Sequence, residues 1–157
     1  MTELSNNNKE NIILVKKLAK EAYPKNKIME DLTVCQAILE SGLRGKAPSG
    51  LALKYNNLFG IKWPSLAKNI KFLKDRGARA VGLNTIEYTH TKIKAFFIWF
   101  KDLETCMEYR KFMMTWDLYK PVSESKTFKE ACEKISINYA TDPKYMNKLL
   151  KLKEELL

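Results

Sequence analysis

This chain of 157 residues predicts an α+β fold, mainly helical, with one small antiparallel hairpin beside a cleft. Three observations lead there. Helical periodicity dominates both ends, a single pair of alternating segments lies between them, and a glycine-rich, polar-aromatic stretch fits neither period.

Residues 7 to about 22 form the first helix, with Ile12, Ile13, Val15, Leu18 and Ala19 on one stripe and Pro24 as its stop. A second helix runs from about 28 to 41, with Leu32, Cys35, Ile38 and Leu39 on its apolar face. Glu40 lies four residues after Gln36 and seven after Thr33, which puts all three on the opposite, polar face before Gly42 ends the helix. Residues 42 to 79 read as loop, with room for a short helix in "SLAKNIKFLKD" behind Pro64. In "AVGLNTIEY", Val81, Leu83, Thr85 and Glu87 share one face; in "KIKAFFIWF", Ile93, Ala95, Phe97 and Trp99 do the same. A short polar connection between them makes a hairpin. Helical periods return over about 102 to 118 and 127 to 137, and a last helix opens at Asp142 and Pro143, a capping residue and a first-turn residue. Its stripe of Tyr145, Leu149, Leu152 and Leu156 reads as core, as do Met113, Met114, Trp116 and Tyr119.

The length suits one domain, taken as residues 1–157, and the composition, 45% hydrophobic and 29% charged, is that of a folded protein. No apolar run reaches the roughly 18 residues of a membrane span, and the opening "MTELSNNNKENIILVKK" lacks the order of a signal peptide. The expectation is a monomer made in the cytoplasm without stable membrane insertion. Cys35, Cys106 and Cys132 are widely spaced and there is one histidine, so packed thiols are expected, with no metal site and no cofactor. The formal charge of +10 favours a polyanionic partner. Nucleic acid, anionic membrane and cell wall all qualify on charge alone. No helix gathers the basic residues on one face and no recognition motif appears, which weighs against nucleic acid.

Glycoside hydrolysis needs a carboxylic acid that stays protonated at working pH, usually with a second carboxylate to activate water or stabilise developing charge. Glu40, at a helix end beside apolar and aromatic groups, suits the first role. Glu87, in a wetter hairpin, suits the second. Between them Tyr55, Asn56, Asn57, Phe59 and Trp63 offer amides and a phenol to sugar hydroxyls and rings to sugar faces. A lone helical glutamate is nonetheless most often solvated, and Asn-Asn before Leu, Phe and Gly is most often a turn, so spacing leaves both readings open.

The motifs are more specific. "AILESGLRG" followed by "SGLALKYNNLFGIKW" resembles the signature of glycoside hydrolase family 73, the glucosaminidases that include bacterial autolysins and the wall-cutting domain of flagellar rod assembly. Downstream, "TIEY" resembles the family's Thr-x-Glu-Tyr hairpin, "AFFIWF" with "EYRKFM" its strand and following helix, and "INYATDPKYMNKLLKL" its closing Tyr-Ala-Thr-Asp-Pro-x-Tyr motif. Four motifs fall in the family's order across residues 32 to 152. The resemblance implies a lysozyme-like fold and cleavage of β-1,4 bonds in peptidoglycan between N-acetylglucosamine and N-acetylmuramic acid. It also implies Glu40 as general acid, Glu87 as second carboxylate, Tyr139 as cleft tyrosine, and Asn56, Asn57 and Phe59 as shapers of the sugar site. Asp142 reads as a helix cap.

Three departures from the family pattern stand out. Residues 64 to 80 look like an insertion that lengthens the cleft wall or adds a basic contact. Ile98 replaces an arginine, and Leu43 replaces a common tryptophan. Muramidase specificity on the same fold and a catalytically dead wall-binding module are the alternatives. The absent signal peptide points to a bacteriophage endolysin used for cell lysis.

Overall fold

The computed structural model describes residues 2–86 and 92–157. In chain order they form α1 (Asn8–Ala22), α2 (Lys27–Ser41), α3 (Gly50–Tyr55), α4 (Ala67–Asp75), β1 (Arg79–Ile86), β2 (Lys92–Trp99), α5 (Leu103–Met113), α6 (Lys120–Ser123), α7 (Phe128–Asn138) and α8 (Tyr145–Leu156). The expected α+β architecture, mainly helical with one hairpin, is what the chain adopts.

The two leading helices start where short polar side chains can replace missing backbone acceptors. The Asn7 side chain accepts from the amides of Lys9 and Glu10, and Asn26 accepts from Met29. Helix α2 is the centre of the molecule, packed against α1, α7 and α8. Its apolar residues Met29, Leu32, Cys35 and Ile38 are buried as expected. So are Thr33 and Gln36 on its opposite, polar face. Gly42, at φ 72°, ends α2 in the left-handed conformation that favours glycine. A Cβ there would also stand 3.3 Å from the Ser49 amide nitrogen, which is bound to the Ser41 carbonyl as the loop folds back.

β1 and β2 pair antiparallel from Arg79 opposite Trp99 to Ile86 opposite Lys92. Burial along β2 alternates until Phe97 and Ile98, which are both buried. The reason is a third segment beside β2: the Trp63 amide donates to the Phe96 carbonyl at 2.8 Å and the Ile98 amide to the Ile61 carbonyl at 3.1 Å. Ile98 and Leu43, two of the three departures from the family pattern, are plain core residues.

Several elements differ from expectation. Residues 50–55 form the short helix α3 within the segment read as loop, begun by the Ser49 side chain accepting from Ala52. The helix expected over about 102 to 118 stops at Met113. There the chain tightens into successive turns, with the Thr115 hydroxyl donating to the Phe112 carbonyl at 2.6 Å, before α6 starts at Lys120 and Pro121. The 64–80 segment does not extend the groove described below. It carries α4, whose Leu73 is buried and whose Phe72 stacks on Phe112 of α5 at 4.2 Å between ring centroids. Arg76 adds an ion pair to Glu108 at 2.8 Å.

Helix α8 packs Tyr145, Leu149 and Leu152 into the core as expected. Asp142 closes the turn before α8 rather than capping the helix itself, its Oδ1 accepting from the Lys144 amide at 2.9 Å. Cys35, Cys106 and Cys132 are unpaired and buried, and burial pushes each thiol up to about 12. No helix among the described residues is long and apolar enough to cross a membrane.

Candidate active site

Helix α2 ends on Glu40 and Ser41, and the turn at Gly42 leaves Glu40 at the floor of a groove of about 510 Å³. Three parts of the chain build the walls. Leu39 and Leu51 flank the acid. Phe59, Gly60, Lys62 and Phe97 come from the loop after α3 and the strand beside it. Tyr139 to Asp142, Tyr145 and Lys148 come from the α7–α8 corner. The arrangement brings Glu40, Phe59 and Tyr139 together, as the sequence reading required. Glu87 lies outside the described residues.

The other expected sugar contacts are placed elsewhere. Asn57 is 1% exposed, and its amide is fully used by the backbone: Nδ2 donates to the carbonyls of Ile61 and Ile98, and Oδ1 accepts from the Ile61 amide, each at 2.9 Å. Asn56 is buried in the left-handed conformation at φ 53°, and its Nδ2 donates to the Phe100 carbonyl at 3.0 Å. An amide side chain carries two donor hydrogens and an acceptor oxygen on one planar group, enough to tie several groups of a bent backbone, so the Asn-Asn pair clamps the loop and does not line the groove. Tyr55 and Trp63 are half-buried outside the groove lining. Each has a backbone group paired with the sheet side: the Tyr55 carbonyl with the Phe100 amide, the Trp63 amide with the Phe96 carbonyl.

That clamp sets two features of the acid's surroundings. Gly60 takes φ 64°, and a Cβ there would sit 3.4 Å from Glu40 Oε2, so a side chain at position 60 would press on the carboxylate. The neighbouring Phe59 carbonyl accepts the Tyr139 hydroxyl at 2.8 Å, which ties the end of α7 to the loop. Tyr139 also lies face to face with Tyr145, ring centroids 6.2 Å apart and planes 19° from parallel.

Burial pushes the Glu40 carboxyl above the ordinary carboxylate range, against smaller downward pulls from a Tyr145 hydrogen bond and the Lys148 charge. Burial and the nearby Glu40 also raise the tyrosines, Tyr139 well above its usual value, so both hydroxyls stay neutral and able to donate. Lys148 is paired with Asp142 across the corner. The site therefore holds a carboxyl whose burial favours its protonated form in a mixed polar and apolar groove, the setting that proton donation to a leaving oxygen calls for. Among the described residues no group of three or more His, Cys, Asp or Glu side chains could hold a metal.

Sequence reasoning missed Tyr145 and Lys148 as groove residues. Tyr145 was assigned to the core stripe of α8, and it is both, 3% exposed overall with its surface turned to the groove. A usable signal was present: Tyr145 and Lys148 are three apart and share one helix face beside the Asp142 corner. A second recess of about 280 Å³ adjoins the groove through Gly60, Lys62 and Tyr139 and is lined by Tyr109 and by Met113, Trp116 and Tyr119, the last three read only as core.

Comparison with known proteins agrees with this geometry. The chain is 32% identical over 142 residues to the exo-glucosaminidase LytG of Bacillus subtilis, covering 85% of this chain and 46% of LytG. It spans less than half the length of the curated relatives it matches. Among solved structures, the catalytic domain of the autolysin Auto from Listeria monocytogenes superposes with a TM-score of 0.68 at 22% identity, covering 99% of this chain and 87% of that one. The glycoside hydrolase domain of FlgJ from Salmonella typhimurium gives 0.64 at 21% identity, covering 95% and 87%. These two share the fold, which is lysozyme-like. The glucosaminidase family model, described as mannosyl-glycoprotein endo-beta-N-acetylglucosaminidase, matches residues 16–157. The chain belongs to the glucosaminidase family.

Proposed function

We propose that this domain hydrolyses β-1,4 bonds in peptidoglycan glycan strands, between N-acetylglucosamine and N-acetylmuramic acid, with Glu40 as the general acid. The observation that carries the reading is the half-buried Glu40 carboxyl in the lining of a groove open to a chain-like substrate, where desolvation favours its protonated form. Glu40 gives its proton to the bridging oxygen as the bond from that oxygen to the anomeric carbon breaks. Water then adds to that carbon, and its proton returns to the carboxylate side of the site. Glu87 is assigned the second carboxylate. Tyr139 holds the groove wall through the Phe59 carbonyl, while the Phe59 ring itself is 1% exposed and packs into the core behind the groove. The formal charge of +10 concentrates the protein on an anionic wall.

Borohydride reduction of digested peptidoglycan followed by mass spectrometry tests the bond assignment. Reduced N-acetylglucosamine at the new ends is expected. Reduced N-acetylmuramic acid would replace the glucosaminidase reading with a muramidase one, and binding to wall without new reducing ends would leave only a binding module.

A further inference from the structure

Behind the groove runs a buried polar chain that the proposed chemistry does not use. Arg110 of α5 and Thr33 and Gln36 of α2 are each 0% exposed. Arg110 Nη1 donates to Thr33 Oγ1 at 2.9 Å and Nη2 to Gln36 Oε1. The Thr33 proton is already given to the Met29 carbonyl at 2.6 Å, so its oxygen is left to accept. A guanidinium has donors and no acceptor, which forces Gln36 to turn its oxygen toward Arg110 and its NH₂ the other way. There Gln36 Nε2 donates to the Tyr145 hydroxyl oxygen at 3.1 Å. Tyr145 has one proton. With its oxygen receiving Gln36, that proton is left to turn toward the Glu40 carboxylate, which lines the same groove.

We propose that Arg110 and Gln36 are positioning residues for Glu40, acting through Tyr145, whose hydroxyl proton they aim at the carboxylate. The relay rests on Glu40 being the acid only for its catalytic meaning; its effect on the carboxyl is a separate, measurable fact. The aimed hydrogen bond favours the ionised form, so it bounds the upward pull of burial and steadies the carboxylate once its proton has left. The other groups around Glu40 do not take this place. Tyr139 has committed its proton to the Phe59 carbonyl, and Lys148 acts on Glu40 through its charge.

The test is a carbon-13 NMR titration of the Glu40 carboxyl in the full chain, assigned by the signal that Glu40→Gln removes. Tyr145→Phe should raise the Glu40 midpoint by about one pH unit or more, the value of a lost hydrogen bond to a charged group. Gln36→Glu should raise it too, because the new carboxylate accepts the Tyr145 proton and turns it away from Glu40. In the Tyr145→Phe background Gln36→Glu should then add little. An increment from Gln36→Glu that is equal in both backgrounds would show direct charge repulsion and overturn the relay, as would a Tyr145→Phe midpoint that does not move. Should Gln36→Glu fail to fold, wild-type NOEs decide: Gln36 side-chain amide protons should contact the Tyr145 ring edge, and contacts to the Arg110 guanidinium in their place would overturn the proposal. The basic limb of the pH–rate profile should follow the midpoints. Midpoints that move while the limb stays fixed would support the relay and refute Glu40 as the acid.

Discussion

Asn57→Ala tests whether the "NN" pair holds the loop or holds the sugar. The substitution strips the Ile98 carbonyl and the Ile61 amide of their partners in a place with no access to solvent, while the Ile61 carbonyl keeps the Ile98 amide. Each buried group left unsatisfied costs about 1–3 kcal/mol, and water entering the vacated space recovers part of that, so a loss of about 2–4 kcal/mol is expected. Against a total of roughly 5–15 kcal/mol this is a large share, and at about 2–4 °C per kcal/mol the Tm should fall by about 5 °C or more. Asn57→Asp should do no better at neutral pH, since it turns a carboxylate on two carbonyl oxygens, and should recover partly as acid protonates it. Thermal melting by circular dichroism measures both, with turnover assayed well below the mutant's Tm. If Asn57→Ala melted within about 2 °C of wild type while losing affinity for peptidoglycan, the clamp would be wrong and the amide would be a substrate contact.

Other substitutions separate the groove from its support. Gly60→Ala, at φ 64° with its methyl 3.4 Å from Glu40 Oε2, should cost about 1–2 kcal/mol of stability for the left-handed backbone. It should also lower kcat and move the basic limb of the pH–rate profile upward as the carboxyl is further desolvated. Glu40→Gln should raise the Tm at neutral pH. The folded-state carboxyl is raised above its unfolded value, so ionised Glu40 destabilises the fold above that value, and the gain should vanish below about pH 4 where both states are protonated. Phe72→Ala should lower stability by about 2–3 kcal/mol through the lost stack on Phe112, yet leave turnover at low temperature unchanged, because α4 leans on α5 and not on the groove.

How far the sequence could be read depended on whether a feature was local. The polar line of Thr33, Gln36 and Glu40 follows from helical spacing alone, and so does the glycine stop that leaves Glu40 at a helix end. Its burial does not, because it depends on Arg110 arriving from α5 and Tyr145 from α8, both distant in sequence. For the same reason a buried arginine was invisible among 28 basic residues. The Asn56–Asn57 pair was read for its chemistry, and that chemistry is used, but on backbone groups that only the folded loop brings within reach. The break after Met113 was hidden by apolar residues that continue a helical period through Trp116 and Tyr119 while the backbone changes course.

The account stands most directly on the rate at which Glu40→Gln releases reducing ends from purified peptidoglycan, measured on protein shown to be folded by its melting transition. Removing the proton donor while keeping its shape should lower kcat by about 10²–10⁴-fold with binding to wall retained. Turnover within a few-fold of wild type, from a folded mutant, would mean that the proton comes from elsewhere.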